Sequence, residues 1–113
     1  MDPVKKYATL VKEALNHYAD LITKEPNPHY ELVRLFDDEH HQYMLRKVGW
    51  NQSGRIKYIP LHVALRNNKI WIEEDWTEDG IATYFLEKGV PPEDIVLGFY
   101  KPETRADTEF AVA

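Results

Sequence analysis

The chain has 113 residues, enough for one domain whose core hides about two-thirds of the surface its unfolded form exposes. It has no cysteine, which excludes a disulfide framework, a thiolate zinc site and a cysteine nucleophile. The net charge is −5, which argues against broad coating of nucleic acid; no run nears the ~20 apolar residues of a membrane span, and MDPVKKY lacks a signal-peptide core, so a cytoplasmic protein with no membrane partner is expected.

Asp2-Pro3 reads as a helix start, with Asp as N-cap and Pro at the first helical position. Val4, Tyr7, Ala8, Val11, Leu15, Tyr18 and Ile22 then recur at helical spacing, until Glu25-Pro26-Asn27-Pro28 ends the run. Strand-like segments follow at Tyr30–Phe36, Tyr43–Trp50, Ile56–Leu65 and Ile70–Glu74. Between them lie Asp37-Asp38-Glu39-His40-His41, Asn51-Gln52-Ser53-Gly54 and Asn67-Asn68, the last suited to a two-residue hairpin because Asn tolerates positive φ. Thr77 is the expected cap of a second helix, with Trp76 and Ile81 as its hydrophobic staple. Gly89 stops that helix, and Val90 can fold back on Phe85 in a Schellman-type end. Ile95–Tyr100 reads as a strand buried on both faces, followed by a tail ending in Phe110-Ala111-Val112-Ala113. The expected fold is therefore α+β: a single domain, 1–113, with an antiparallel meander of about four strands, a C-terminal strand, and two helices on one face.

Five acids crowd Glu73–Asp79. Glu73 and Glu74 are strand neighbours and point to opposite faces, while Glu78 and Asp79 would load the N-terminus of the second helix. They do not converge, so no metal site is expected. His40-His41 lacks the HExxH order, and Ser53 lacks a GxSxG context. No glycine-rich phosphate loop or Rossmann fingerprint is present, so neither cofactor nor catalytic residue is assigned.

Three surfaces remain. Regular hairpin registers would place Tyr43, His62 and Glu73 in one row across three strands, a candidate polar site that a one-residue slip would destroy. One sheet face would carry Val33, Leu35, Val48, Trp50, Ile59, Leu61, Val63, Leu65, Ile70 and Ile72 under the helices. The other would carry Tyr30, Phe36, Tyr43, Tyr58, Pro60, His62, Trp71 and Glu73. That aromatic second face suits an interface, or is covered by the C-terminal strand and tail. With the tail it makes Tyr58, Trp71, Phe110 and Val112 candidate partner contacts, and offers a second copy of the chain a place to associate. Finally, His40–Ile72 holds no acid but six cations, leaving −11 on the rest of the chain. Arg46, Lys47, Arg55 and Lys57 flank one hairpin tip and are candidate DNA contacts, against the ordinary reading of lysines and arginines on a wet strand face.

An ordered set of short segments carries a resemblance: Gly49-Trp50, His62, Lys69-Ile70-Trp71-Ile72, Thr77-Glu78-Asp79-Gly80-Ile81-Ala82, Gly89-Val90-Pro91 and Asp94-Ile95-Val96-Leu97-Gly98-Phe99, then Pro102, Arg105, Thr108 and Phe110-Ala111-Val112. Over nearly its whole length the chain resembles the XisI family, the fdxN-element excision controlling factors. It departs from the family pattern at His41-Gln42-Tyr43-Met44, at Asn68 and at Tyr100. The resemblance implies a small accessory protein without catalytic activity. It would act with a site-specific recombinase and a nuclease-like XisH-type companion to control excision of a DNA element in cyanobacterial cells, in the setting of heterocyst differentiation. Two expectations follow: a protein-interaction module that binds the companion, and, ranked second, a DNA-contacting factor using the basic hairpin.

Overall fold

In a computed structural model of the chain, residues 2–113 are described. Asp2 caps α1 (Pro3–Ile22): its Oδ1 accepts the Val4 N–H at 3.0 Å, and Pro3 takes the first helical position, where a missing N–H costs nothing. Tyr7, Ala8, Val11, Ala14, Leu15 and Ala19 form the buried stripe of α1. Four antiparallel strands follow side by side in sequence order: β1 (Tyr30–Asp37), β2 (Gln42–Asn51), β3 (Gly54–Arg66) and β4 (Lys69–Asp75). Asn67 and Asn68 both adopt positive φ, 57° and 60°, and close the β3–β4 hairpin in two residues as their chemistry predicts. At the β1–β2 end, Gly49 is required by crowding, since a Cβ there would lie 2.0 Å from the His29 carbonyl oxygen.

After β4 the chain runs through α2 (Ile81–Glu87) and a short 3-10 turn (Pro92–Asp94) into β5 (Ile95–Leu97), which joins β4 in parallel. The expected C-terminal strand is thus shorter than Ile95–Tyr100. The Tyr100 N–H turns back to the Leu97 carbonyl at 3.1 Å, leaving Phe99 and Tyr100 exposed. Gly89 (φ 92°) and the Val90 N–H bonded to the Phe85 carbonyl at 3.0 Å give α2 its expected Schellman end. The start of α2 differs from expectation. Thr77 does not cap it, and Trp76 and Ile81 do not staple, because Ile81 is buried and Trp76 exposed. Asp75, anchored at the end of β4, does the capping from six residues away. Its Oδ2 accepts the Ile81 N–H at 2.8 Å, and its Oδ1 accepts both the N–H and the hydroxyl of Thr77, at 2.9 and 2.6 Å. Glu78 and Asp79 therefore precede the helix instead of occupying its first turn.

Two bulges set which side chains face which way. Near the hairpin tip Trp50 pairs with Arg55 and Lys47 with Tyr58, as regular registers require, but Leu45 then pairs with Leu61. β3 has one extra residue here, and Ile59-Pro60 together oppose Arg46. Such an insertion turns every side chain beyond it to the other face. Tyr43 and Leu45 therefore share the helix-covered core with Leu61, Val63, Leu65, Ile70 and Ile72, and Phe36 packs against it. Val33, Leu35, Val48, Trp50 and Ile59, expected under the helices, lie on the outer face instead. A second bulge near Val63 leaves His62 opposite Met44 on one side and Glu74 on the other.

A smaller core sits on the outer face over β4 and β5. Ala64, Trp71 and Val96 are covered there by the tail, whose Ala111 bridges to Val96 and donates its N–H to the Ile95 carbonyl at 2.8 Å. Arg105, the last residue of the short helix α3 (Pro102–Arg105), fastens the tail by donating to the Tyr100 and Val112 carbonyls at 2.8 and 3.1 Å.

Candidate protein-interaction site

β4 ends at Asp75, so the Gly54–Pro60 part of β3 has a strand neighbour on one side only. Trp76 occupies the missing neighbour's place. Its backbone N–H donates to the Pro60 carbonyl at 2.9 Å, its Nε1 donates to Glu74 Oε1 at 2.6 Å, and its ring meets Tyr58 edge-on, 6.5 Å between centroids. Pinned at both backbone and indole, Trp76 is still 68% exposed. A groove opens on each side of it. The helix-side groove, about 670 Å³, is lined by Tyr18, Leu21, Ile22, Lys47 and Pro60. The outer groove, about 540 Å³, is lined by Leu35, Met44, Arg46, Lys57 and Ile59. Tyr58 and Trp76 line both, so the two form one saddle around an exposed tryptophan.

Charges of both signs share the lining, Glu78 and Asp79 with Lys47 in the helix-side groove and Glu74 with Arg46 and Lys57 in the outer one. Lys47 lies over the Tyr30 and Tyr58 rings, 4.6 and 5.5 Å from their centroids. The Arg46 Nε is buried without a hydrogen-bond acceptor. Burial raises the Tyr18 hydroxyl above its ordinary range, helped by the negative charge of Asp79, Asp75 and Glu87. Apolar walls, two aromatics and charges of both signs are the composition found at protein-binding surfaces. Among the described residues no three His, Asp or Glu side chains come together as metal ligands would.

The predicted polar row is not assembled. The first bulge gives Tyr43 the partner Val63, and its hydroxyl donates to Asp38 Oδ1 at 2.6 Å on the helix side, which raises the Tyr43 pKa behind the larger effect of burial. His62 Nε2 instead meets Gln42 Oε1 at 2.8 Å on the outer face, and the second bulge puts Glu74, not Glu73, across from it. Of the predicted partner contacts, Tyr58 lies in the saddle and Val112 is exposed, while Phe110 packs against the main core. Trp71 is only 5% exposed, so it is no surface contact. It lies between the Arg66 and Arg105 guanidinium groups, 3.7 and 5.2 Å from its centroid, and its Nε1 donates to the Arg66 carbonyl. The four hairpin cations divide. Arg46, Arg55 and Lys57 belong to the outer face, Arg55 stacked 5.2 Å from the Trp50 centroid, whereas Lys47 faces the helix side. His40 is absorbed by its own turn, its Nδ1 2.8 Å from Asp37 Oδ2. Sequence reasoning missed Trp76, Leu21, Leu35, Met44 and Ile59 as surface. The available signal was Pro60, which cannot donate to a ladder and so marks a bulge in an otherwise regular strand.

The fold and the chain both have relatives. The family model described as XisI protein matches residues 1–112. A crystal structure of the fdxN element excision controlling factor XisI from Anabaena variabilis is similar at 36% identity, covering 99% of this chain and 100% of that one, with a TM-score of 0.88. A XisI-like protein from the same organism is similar at 33% identity over 97% and 99% of the two chains, with a TM-score of 0.89. Among curated proteins none matches. The match of sequence and fold over almost the full chain makes this protein a member of the XisI family.

Proposed function

We propose that this chain is a non-enzymatic accessory factor in the control of site-specific excision of a DNA element, and that it acts by holding a partner protein on the Trp76 saddle. The partner is an XisH-type companion, through which a site-specific recombinase is reached. The regulatory setting rests on family membership and on the relative described as an excision controlling factor. The observation that carries the interaction reading is the saddle itself, an exposed tryptophan with an apolar groove on either side.

The test is co-purification with the XisH-type companion of the same genome, with complex mass read by light scattering. A defined complex is expected, and Trp76→Ala or Ile59→Asp should weaken it about tenfold or more without unfolding the chain. A complex indifferent to both substitutions would remove the saddle from the reading. A folded companion that does not associate would remove the interaction reading altogether.

Arg55 and Lys57 near the hairpin tip favour a second reading, in which the hairpin touches DNA. Three outer-face cations can meet one duplex, so that reading requires affinity to fall with salt at a log–log slope of roughly −3. A flat salt dependence, or equal binding by an Arg55→Ala, Lys57→Ala double variant, would sink it.

A further inference from the structure

The two edges of the sheet are treated differently. The β5 edge is three residues long and the tail bridges across it at Val96–Ala111. The β1 edge is eight residues long, and its outward backbone groups have no strand beside them. Its pairing with β2 runs from Tyr30–Gly49 to Asp37–Gln42 without a bulge. The segment, YELVRLFD, has no lysine, proline or bulge; of the devices by which an edge refuses a neighbour it carries only the charges of Glu31, Arg34 and Asp37.

We infer that the β1 edge is the seat of a second copy of this chain, paired antiparallel across a two-fold axis at Val33 to make one continuous ten-stranded sheet. The choice of occupant follows from self-complementarity. An isologous contact sets the same strand against itself, and only registers that keep like faces together are allowed. Centring on Arg34 would oppose two guanidinium groups. Centring on Val33 opposes Val33 to its own copy, Leu32 to Arg34, Glu31 to Leu35 and Tyr30 to Phe36, with no charge facing its like. The Arg34 guanidinium is already engaged within its own copy, by Asn16 Oδ1 at 2.9 Å and Asp20 Oδ1 at 3.1 Å. The same pairing joins the two outer faces at Val33 and Leu35, so the saddles of the two copies open on the same side of one twisted sheet. A seam of this kind buries little area, and the dimer is a weak one that dissociates on dilution.

Sedimentation and light scattering of the full chain across a concentration series test this. The mass should climb from 13.3 kDa towards twice that value. Val33→Lys sets two ammonium groups on the axis and should weaken association roughly tenfold or more. Mixing V33K with V33E copies should restore a heterodimer, because only the axial residue meets its own counterpart. Leu35→Lys should keep the dimer, its new charge facing Glu31. If V33K fails to fold by circular dichroism, amide exchange of the unmodified chain decides: protection of Tyr30–Phe36 should rise with concentration. A mass fixed at 13.3 kDa, a dimer that V33K leaves unchanged, or a β1 edge protected only by a different protein would each overturn the inference.

Discussion

Trp71 and Trp76 belong to the same short stretch of chain, five residues apart, yet one is 5% and the other 68% exposed. Trp71 sits where the outer face is roofed by the returning tail, between two arginines and beside Val96. Trp76 sits where β4 has stopped and nothing returns, beside Tyr58 and Pro60. The contrast shows that burial on this face is decided by which remote segment comes back over it. The helix-covered face is divided as well: Val11, Leu15, Leu61, Ile70, Ile72, Ile81 and Phe85 are fully buried, while Leu21 and Tyr58 stay exposed in the helix-side groove. The outer face is thus half structural and half available, and the boundary runs along β4.

That boundary can be broken by mutation. Trp71→Ala should cost about 3–5 kcal/mol, a large share of the ~5–15 kcal/mol of a small domain, and urea unfolding should show it as a sharply lowered midpoint. A loss below about 1 kcal/mol would mean that the tail does not bury Trp71 in solution. Asp75→Ala leaves the Ile81 and Thr77 donors without their acceptor and should cost about 2 kcal/mol, read as a lower Tm. Asp75→Asn should recover part of it.

Tyr7→Phe, on the helix-covered face, should cost about 1 kcal/mol through the lost 2.5 Å bond to Asp94. It should also change the pH profile. Burial, then the Asp94 hydrogen bond and charge, raise the Tyr7 pKa from 10.0 to about 12. A raised folded-state pKa means stability that is complete below pH 10 and lost as pH climbs through about 12. The variant should lack that share of the alkaline loss, and identical profiles would refute the assignment. Trp76→Ala is the smallest in this series, within about 0.5 kcal/mol, since the ring it removes is mostly in water. A larger loss would place Trp76 on the structural side of the boundary.

Local chemistry was legible in the sequence. Asp2-Pro3, Asn67-Asn68 and Gly89-Val90 act within a few residues of themselves, and each behaves as its side chains dictate. What failed was non-local. A regular ladder assigns Trp50 and Val48 to the core. One inserted residue at Ile59-Pro60 overrules that, and it takes β1 along because β1 is aligned only through β2. The Tyr43–His62–Glu73 row failed at both bulges, the first taking Tyr43 from it and the second Glu73. Thr77 and Asp75 are equally good caps by type, and Asp75 prevails because β4 holds it in place. Trp71 read as surface because the tail that hides it lies far along the chain, at Arg105–Ala111.

The insertion at Ile59-Pro60 also gives the sheet something like a reading frame. Deleting either residue would leave Lys47 opposite Tyr58 and Leu45 opposite Leu61 in a regular ladder with every face kept. Deleting Arg46 from the facing strand would instead set Leu45 and Lys47 on opposite faces. Losses of one residue at the Gln52-Ser53 tip leave the strands beyond it free to re-pair. A deletion scan scored by soluble yield should therefore find Ile59 and Pro60 about as forgiving as the tip, and Arg46, directly across from them, far less so.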